Sequence, residues 1–411
     1  MKNNLKLLLL ISLVFTGLFS ATTYWIGIKH SEMLSSENSS NWSNIDIVLE
    51  HLANNYVDSL EIEKLSENSI NNILKDLDPH SSYIPANQRQ RLNESLVGHF
   101  GGIGIRFMIY NDTLTVVDVI DGGPSESVNI NKRDRIITID DENVAGVNLT
   151  NEDVLKKLKG VVGSAVKLSI LKPNKNIEIK NIIRGSIPLK SIPAFTMLKN
   201  EIGYIKISSF SNSTDIEFKK ALNILIEKGM KSLILDLRFN GGGYLHQAIN
   251  VADEFLKKNK LIVYTEGAHS KKRTFFSRSE GLFENGKLII LVNSSTASAS
   301  EIVSGAIQDN DRGLILGRRT FGKGLVQQPL LLPDSSELRI TTSRYYTPSG
   351  KCIQKPYGDT IDYDNDLFER IESGELTQID SLGNNKFLGG ILPNIYSPID
   401  TSTYNDQVNK I

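Results

Sequence analysis

The sequence predicts an α/β protein. A mixed α/β core lies late in the chain, with a small β-rich domain inserted ahead of it and a helical segment and an apolar span at the amino terminus. Three observations predict this. Between residues 202 and 327, short apolar runs alternate with helix-patterned stretches, as in βα units packed around a buried sheet. Residues 101–171 carry a Gly-rich loop followed by short strand-like runs and one short helix. Residues 7–28 form a 22-residue stretch without a charge, behind Lys2 and Lys6.

At 411 residues the chain can hold two or three domains. With 40% hydrophobic and 23% charged residues it has the composition of a folded protein. A net charge of −1 argues against a dominant nucleic-acid partner. Cys352 is the single cysteine, so no intrachain disulfide forms, and it reads as a buried structural thiol. No His/Cys/Glu cluster has metal-ligand spacing.

Residues 1–29 read as a signal anchor, because the apolar stretch is long enough to cross a bilayer and its positive flank favours an inside amino terminus. A cleaved signal peptide is the alternative, but Phe19-Ser20-Ala21 is a poor cleavage site. Residues 30–43 are polar and Ser/Asn-rich, as in a linker. Residues 44–95 are expected to be helical, with apolar positions at Ile45, Val48, Leu49 and Leu52 and again at Leu65, Ile70, Ile73 and Leu74. Pro79 stops the second helix, and His80 just after it reads as a turn histidine.

Residues 96–175 form the β-rich domain, which reads as a PDZ domain. Its loop Gly101-Gly102-Ile103-Gly104-Ile105 can present backbone N–H groups to a peptide carboxylate while the adjacent strand edge pairs with the peptide. Strands at 114–120 and 134–140, a helix at 152–158 and a strand at 165–171 complete it. The core spans residues 176–356, with strands at 202–210, 232–237, 261–266, 288–292 and 338–346 and helices at 214–228 and 245–257. Asp309 and Arg312 read as a structural ion pair. Residues 357–411 are an extension rich in Asp and Asn, and its apolar run at 387–393 is expected to pack on the core.

The chemistry concentrates between residues 288 and 327. An apolar strand runs into a turn of small residues and then a helix, which leaves N–H groups at the helix start without partners. Ser295, Ser298 and Ser300 lie there, and the residues alone do not say which is a nucleophile. None of the six histidines lies in this stretch. Lys323, between Gly322 and Gly324, is a candidate base. Lysine ordinarily titrates at about 10.4, so making it a base near neutrality costs about 4 kcal/mol, which burial can supply. Thr320, Phe321, Leu325 and Val326 bring no carboxylate, and Gln327 offers a neutral oxygen to hold the amine. Earlier, Asp236-Leu-Arg-Phe-Asn-Gly-Gly242-Gly243 ends a buried strand, where N–H groups could meet a developing oxyanion. One competing pattern is Gly-x4-Gly-Lys at residues 317–323, most of a phosphate-binding loop, but Gly324 then lacks the hydroxyl that would meet Mg²⁺.

The run Ser-Thr-Ala-Ser298-Ala-Ser-Glu, the later Thr-Phe-Gly-Lys323-Gly-Leu-Val-Gln327 and the earlier Asp-Leu-Arg-Phe-Asn-Gly-Gly-Gly resemble the carboxy-terminal processing peptidases, or tail-specific proteases. So does Leu-Asp-Pro-His80-Ser-Ser-Tyr. The resemblance covers about residues 45–355 and implies a Ser/Lys-dyad endopeptidase with a ClpP/crotonase-like core and no cofactor. It maps the nucleophile to Ser298, the base to Lys323 and its support to Gln327. It maps the oxyanion donors to Ala299 and either Gly242 or Gly243, and the substrate-tail groove to Gly101–Ile105. Two departures stand out. Thr296-Ala297 replaces a Ser-Ala, and Val128 to Asp134 lacks the glycines of the family's Ala-Gly-Leu-x-x-Gly-Asp. The implied setting is the bacterial envelope, with the catalytic part exported and proteins or peptides with free carboxyl termini as substrates. A second copy or an adaptor protein is a further partner left open. The alternative function is an inert PDZ-containing adaptor.

Overall fold

A computed structural model describes residues 43–278, 280–358, 363, 370 and 389–398. The expected span at residues 7–28 lies outside them. Among the described residues no helix is long and apolar enough to cross a membrane. The chain divides into two units, residues 1–76 and 77–411. Within the first, helices Ser43–Asn55 and Ile62–Lys75 pack on one another. Each has an acidic residue in its first turn, Asp46 and Glu63, where the helix dipole favours negative charge.

The second unit begins with a departure from the helical expectation for residues 44–95. Residues Ser82–Ile84 form a strand that pairs antiparallel with the late strand Glu337–Tyr346. The cause is local. Asp78 accepts the His80 and Ser81 amides at 2.8 and 2.9 Å and the Ser81 hydroxyl at 2.6 Å, a turn that aims the chain at the sheet. A third helix, Ala86–Val97, starts after Pro85 and ends at Gly98 with φ 85°.

The PDZ domain follows. His99–Gly102, where the chain enters, pairs with Gly185–Pro188, where it leaves. Between them an antiparallel sheet runs in the order Ile105–Ile109, Leu114–Val119, Arg135–Ile139, Ala165–Leu171, Ile177–Ile183. Helix Asn151–Leu158 is capped by Thr150, whose hydroxyl accepts the Asp153 amide. Its Val154 and Leu158 join Ile136, Leu168 and Ile170 in a separate core. The last strand pairs along its whole length with Ala165–Leu171, so residue 175 lies in a hairpin turn rather than at a domain boundary.

The loop whose glycines are missing keeps the backbone that glycine would favour. Asn129 has φ 59° and Arg133 φ 74°, while Asp134 is buried, accepts the Asn131 amide and pairs with Lys172 at 2.7 Å. Asn adopts this region at less cost than Arg. Arg133 is exposed, so Arg133→Gly should stabilise the protein by about 0.5–1 kcal/mol, read as a higher urea midpoint at constant slope.

The core is two sheets. The first runs Ala194–Met197, Ile202–Lys206, Ser232–Asp236, Lys287–Val292, Leu314–Gly317, Ile395–Tyr396; its first pair is antiparallel and the rest parallel. Its central strands are apolar on both faces because helices Thr214–Glu227, Leu245–Asp253 and Ala299–Asp309 pack around them. The last of these is buried continuously from Ala299 to Ile307, which explains its small and apolar composition. The second sheet joins Ser82–Ile84, Glu337–Tyr346, Leu261–Gly267 and Ser270–Phe276, with Leu325–Leu331 also on the long late strand.

The carboxy-terminal extension contributes more than packing. Ile391 enters the core, and Ile395–Tyr396 pairs parallel as the sixth strand of the first sheet. Residues 387 and 388 lie outside the described residues. Two expectations change. Asp309 and Arg312 do not pair: Asp309 accepts the Ser349 amide, and Arg312 donates to the Phe255 and Phe283 carbonyls. Cys352 is free but only half-buried.

Candidate active site

The candidate nucleophile sits where strand Lys287–Val292 turns into helix Ala299–Asp309. Asn293 builds the turn. Its Oδ1 accepts the Phe239 and Ser295 amides at 3.0 and 3.2 Å, which ties this strand end to the loop after Ser232–Asp236. Thr296, fully buried, donates its hydroxyl to the Leu237 carbonyl at 2.9 Å. The threonine in place of serine therefore keeps a working hydroxyl there.

Ser298 has φ 57° and ψ −117°, a backbone that costs a non-glycine residue about 1–3 kcal/mol. Its amide donates to Glu301 Oε2 at 2.7 Å. Of the three serines, only Ser298 lines the cleft. Ser300 is buried and donates to the Asn240 carbonyl, and Ser295 is exposed.

The cleft has a volume of about 770 Å³. Ser298, Lys323 and Gln327 share it with Gly242, Gly243 and Ala299. Its walls include Leu96, Val97, Leu245, Ile302 and Leu325, and Arg339 lines it on the late strand. Arg339 is held by Glu337 at 2.7 Å and by Asn93 at 2.6 Å.

The two glycines differ. The Gly242 amide donates to Asn240 Oδ1 at 2.8 Å, and its φ is 103°. A Cβ there would stand 2.7 Å from Ser298 Cβ, so only glycine fits beneath the serine. Gly243 bridges to Phe210 through its neighbours, which leaves its own amide unengaged among the described residues. Ala299, the first residue of the serine's helix, likewise has its amide unengaged. The pair of free donors is Gly243 and Ala299.

Lys323 lies half-buried after Gly322, whose φ is 91°. Burial lowers its ammonium below the ordinary lysine value, and the Arg339 charge adds to this. Asp78 and Glu301 oppose the shift. No carboxylate comes within ion-pair distance of its Nζ among the described residues. The local sequence shows no carboxylate, but the fold brings Glu301 across. That carboxylate takes the Lys323 backbone amide at 2.9 Å rather than the ammonium.

Three other groups surround the pair. Gln327 lines the cleft, but it makes no hydrogen bond to Lys323, and its buried Nε2 has no partner among the described residues. Tyr345 is 3% exposed and donates to the Lys323 carbonyl. Burial pushes its phenol well above the ordinary value, the Glu301 charge adds to this, and a hydrogen bond with the Ser298 side chain opposes it. Neither Tyr345 nor Glu301 announces such a position in the sequence; Glu301 is legible only as a member of the serine motif. His80 does not line the cleft. Burial and then the Lys323 charge lower it to about 4, and its Nε2 lies 2.8 Å from the Tyr363 hydroxyl.

The phosphate-loop pattern fails on geometry. The amides of Thr320, Phe321, Gly322, Lys323 and Gly324 are bound by Ile391, Thr296, Glu301 and Gln354, so none is free to cradle a phosphate. Among the described residues no group of three His, Cys, Asp or Glu side chains could hold a metal ion.

In the PDZ domain, Gly101 and Gly102 lie in the entry strand, and a Cβ on Gly101 would collide with the Gly160 carbonyl. Ile103 is buried, Gly104 has φ 78°, and Ile105 opens the outermost strand of the sheet. The Ile103 and Gly104 carbonyls accept the Ser125 and Ile120 amides.

A family model described as peptidase family S41 matches residues 201–365, and a PDZ-domain model matches residues 101–182. The chain is 35% identical over 313 residues to the carboxy-terminal-processing protease of Bartonella bacilliformis, spanning 75% of this chain and 71% of that one. It is 31% identical over 360 residues to the carboxy-terminal processing protease CtpA of Bacillus subtilis, spanning 86% and 76%. Among solved structures it is similar to the photosystem II D1 C-terminal processing protease, with a TM-score of 0.48 and 24% identity over 88% of each chain.

Proposed function

The chain belongs to the carboxy-terminal processing proteases of peptidase family S41, and from that premise we propose that it is a Ser/Lys-dyad endopeptidase that cuts exported proteins near their carboxyl termini. Ser298 attacks the scissile carbonyl. Lys323, whose ammonium is disfavoured by burial and by the Arg339 charge, takes the serine proton in its neutral form and returns it to the leaving amine. The amides of Ala299 and Gly243 receive the oxyanion, since that of Gly242 is spent on Asn240. Gln327 turns its unpartnered amide toward Lys323 or substrate once the cleft is filled. No cofactor takes part.

The observation that carries this reading is that Ser298 and Lys323 line one cleft, with no carboxylate pairing the lysine's ammonium among the described residues. Around this site the core is of the ClpP/crotonase kind. The PDZ domain takes the substrate's carboxyl terminus at Gly101–Ile105 and pairs its chain along Ile105–Ile109, the free edge of the sheet. Residues 7–28 anchor the chain in the inner membrane, with the catalytic part outside the cytoplasm.

The test incubates the full chain with an unfolded protein such as casein and identifies fragments by mass. Wild type should cut and Lys323→Ala should not. Equal cutting by both would remove Lys323 from the mechanism.

A further inference from the structure

Glu301 is 0% exposed and lies one turn into the serine's helix. Four donors converge on it. Oε2 accepts the Ser298 amide at 2.7 Å and the Lys323 amide at 2.9 Å. Oε1 accepts the Gly322 amide at 2.7 Å and the Thr320 hydroxyl at 2.5 Å. Thr320 Oγ1 in turn accepts the Ile391 amide at 2.7 Å. A single carboxylate oxygen thus bridges the backbones of two residues that lie 25 positions apart in sequence.

We infer that Glu301 is a positioning residue for the dyad: its carboxylate fixes the separation of the nucleophile's turn from the base's turn and holds Ser298 in its unfavourable backbone. This rests on the Ser/Lys reading above. The geometry supports it in two ways. A buried carboxylate is costly unless its oxygens are satisfied, and here both are satisfied by the segments that carry the proposed reacting groups. The Ser298 conformation needs an external restraint, and the Glu301 hydrogen bond to its amide supplies one.

The charge has a second consequence. The groups facing Lys323 are Glu301 from the serine's helix, Asp78 and His80 from the turn before Ser82–Ile84, and Arg339 and the Tyr345 phenol from the late strand; Lys355 acts on His80 behind them. Burial raises the Glu301 carboxyl above its ordinary value, against the four donors, and its negative charge favours the ammonium of Lys323. Removing that charge lowers the pKa of the lysine further.

The experiment uses the full chain and a fluorogenic peptide chosen from the casein fragments that wild type releases. kcat, KM and their pH dependence are measured for wild type, Ser298→Ala, Glu301→Gln and Glu301→Asp, with thermal unfolding of each. In Glu301→Gln the volume is kept, but the amide nitrogen meets N–H donors. kcat should fall about 100-fold with KM within about twofold, and the acid limb of the residual activity should move to lower pH. Glu301→Asp keeps the charge and shortens the reach; its kcat should fall about tenfold with the acid limb unmoved. A Glu301→Gln kcat within about threefold of wild type, or a loss that only tracks the unfolded fraction, overturns the inference. If Glu301→Gln does not fold, Glu301→Asp decides, and a wild-type kcat there overturns it. Cleavage by Ser298→Ala would instead sink the dyad reading itself, whatever the Glu301 variants do.

Discussion

Ser298→Ala should cleave no peptide, a loss of about 10⁴-fold or more, and should still fold. The hydroxyl is the only atom removed. The Ser298 amide keeps its bond to Glu301, and alanine meets the same backbone strain as serine at φ 57°. The cost to stability is the loss of the capping serine at the start of helix Ala299–Asp309, about 1 kcal/mol. Peptide cleavage and the thermal midpoint of the same preparation check both halves. A folded Ser298→Ala that retains more than about one per cent of wild-type turnover would require another nucleophile. Neither neighbouring serine offers one, since Ser300 is buried with its hydroxyl engaged and Ser295 lies outside the cleft lining.

Turnover should rise with pH along a single limb set by Lys323. The lysine works as a base only when neutral, so activity is lost as pH falls below its pKa, by about tenfold per pH unit well below it. Burial and the Arg339 charge place that pKa below the ordinary lysine value. His80, lowered to about 4, is already neutral through the range and does not shape the limb. Arg339→Gln removes a positive charge that disfavours the ammonium, so it should move the limb to higher pH. The profile of kcat/KM for wild type and Arg339→Gln is the measurement. A flat profile from mild acid to mild alkali, or a limb that Arg339→Gln moves downward, would count against a lysine base.

Much of the architecture was legible because it is written in short-range pattern. Apolar runs such as residues 232–237 and 288–292 read as buried strands, and they are strands, with Leu233, Leu235, Leu288, Ile290 and Val292 buried and Ile234, Ile289 and Leu291 half-buried. Helix Ala299–Asp309 followed from small and apolar residues that fit nowhere but inside. The strand Ser82–Ile84 is not legible within the broadly helical segment 44–95, since three residues after the stop at Pro79 carry too little periodicity to mark a strand. Strand Ile395–Tyr396 was missed for the same reason, and its pairing is with a segment some 80 residues earlier.

By itself the sequence determined the candidate chemistry of this protein: a serine at a helix start, a lysine between glycines, a glycine triplet at a strand end, and an edge-strand domain ahead of them. Residue type and spacing along the chain suffice for that. Only the tertiary structure decided which serine reaches the cleft, which glycine amide is free, and that Glu301 and Tyr345 stand behind the pair while the Gln327 Nε2 lacks a partner among the described residues. The reason is physical. A motif records what a residue can do, but hydrogen bonds between distant segments, and the desolvation that shifts a lysine, exist only once the chain has closed on itself.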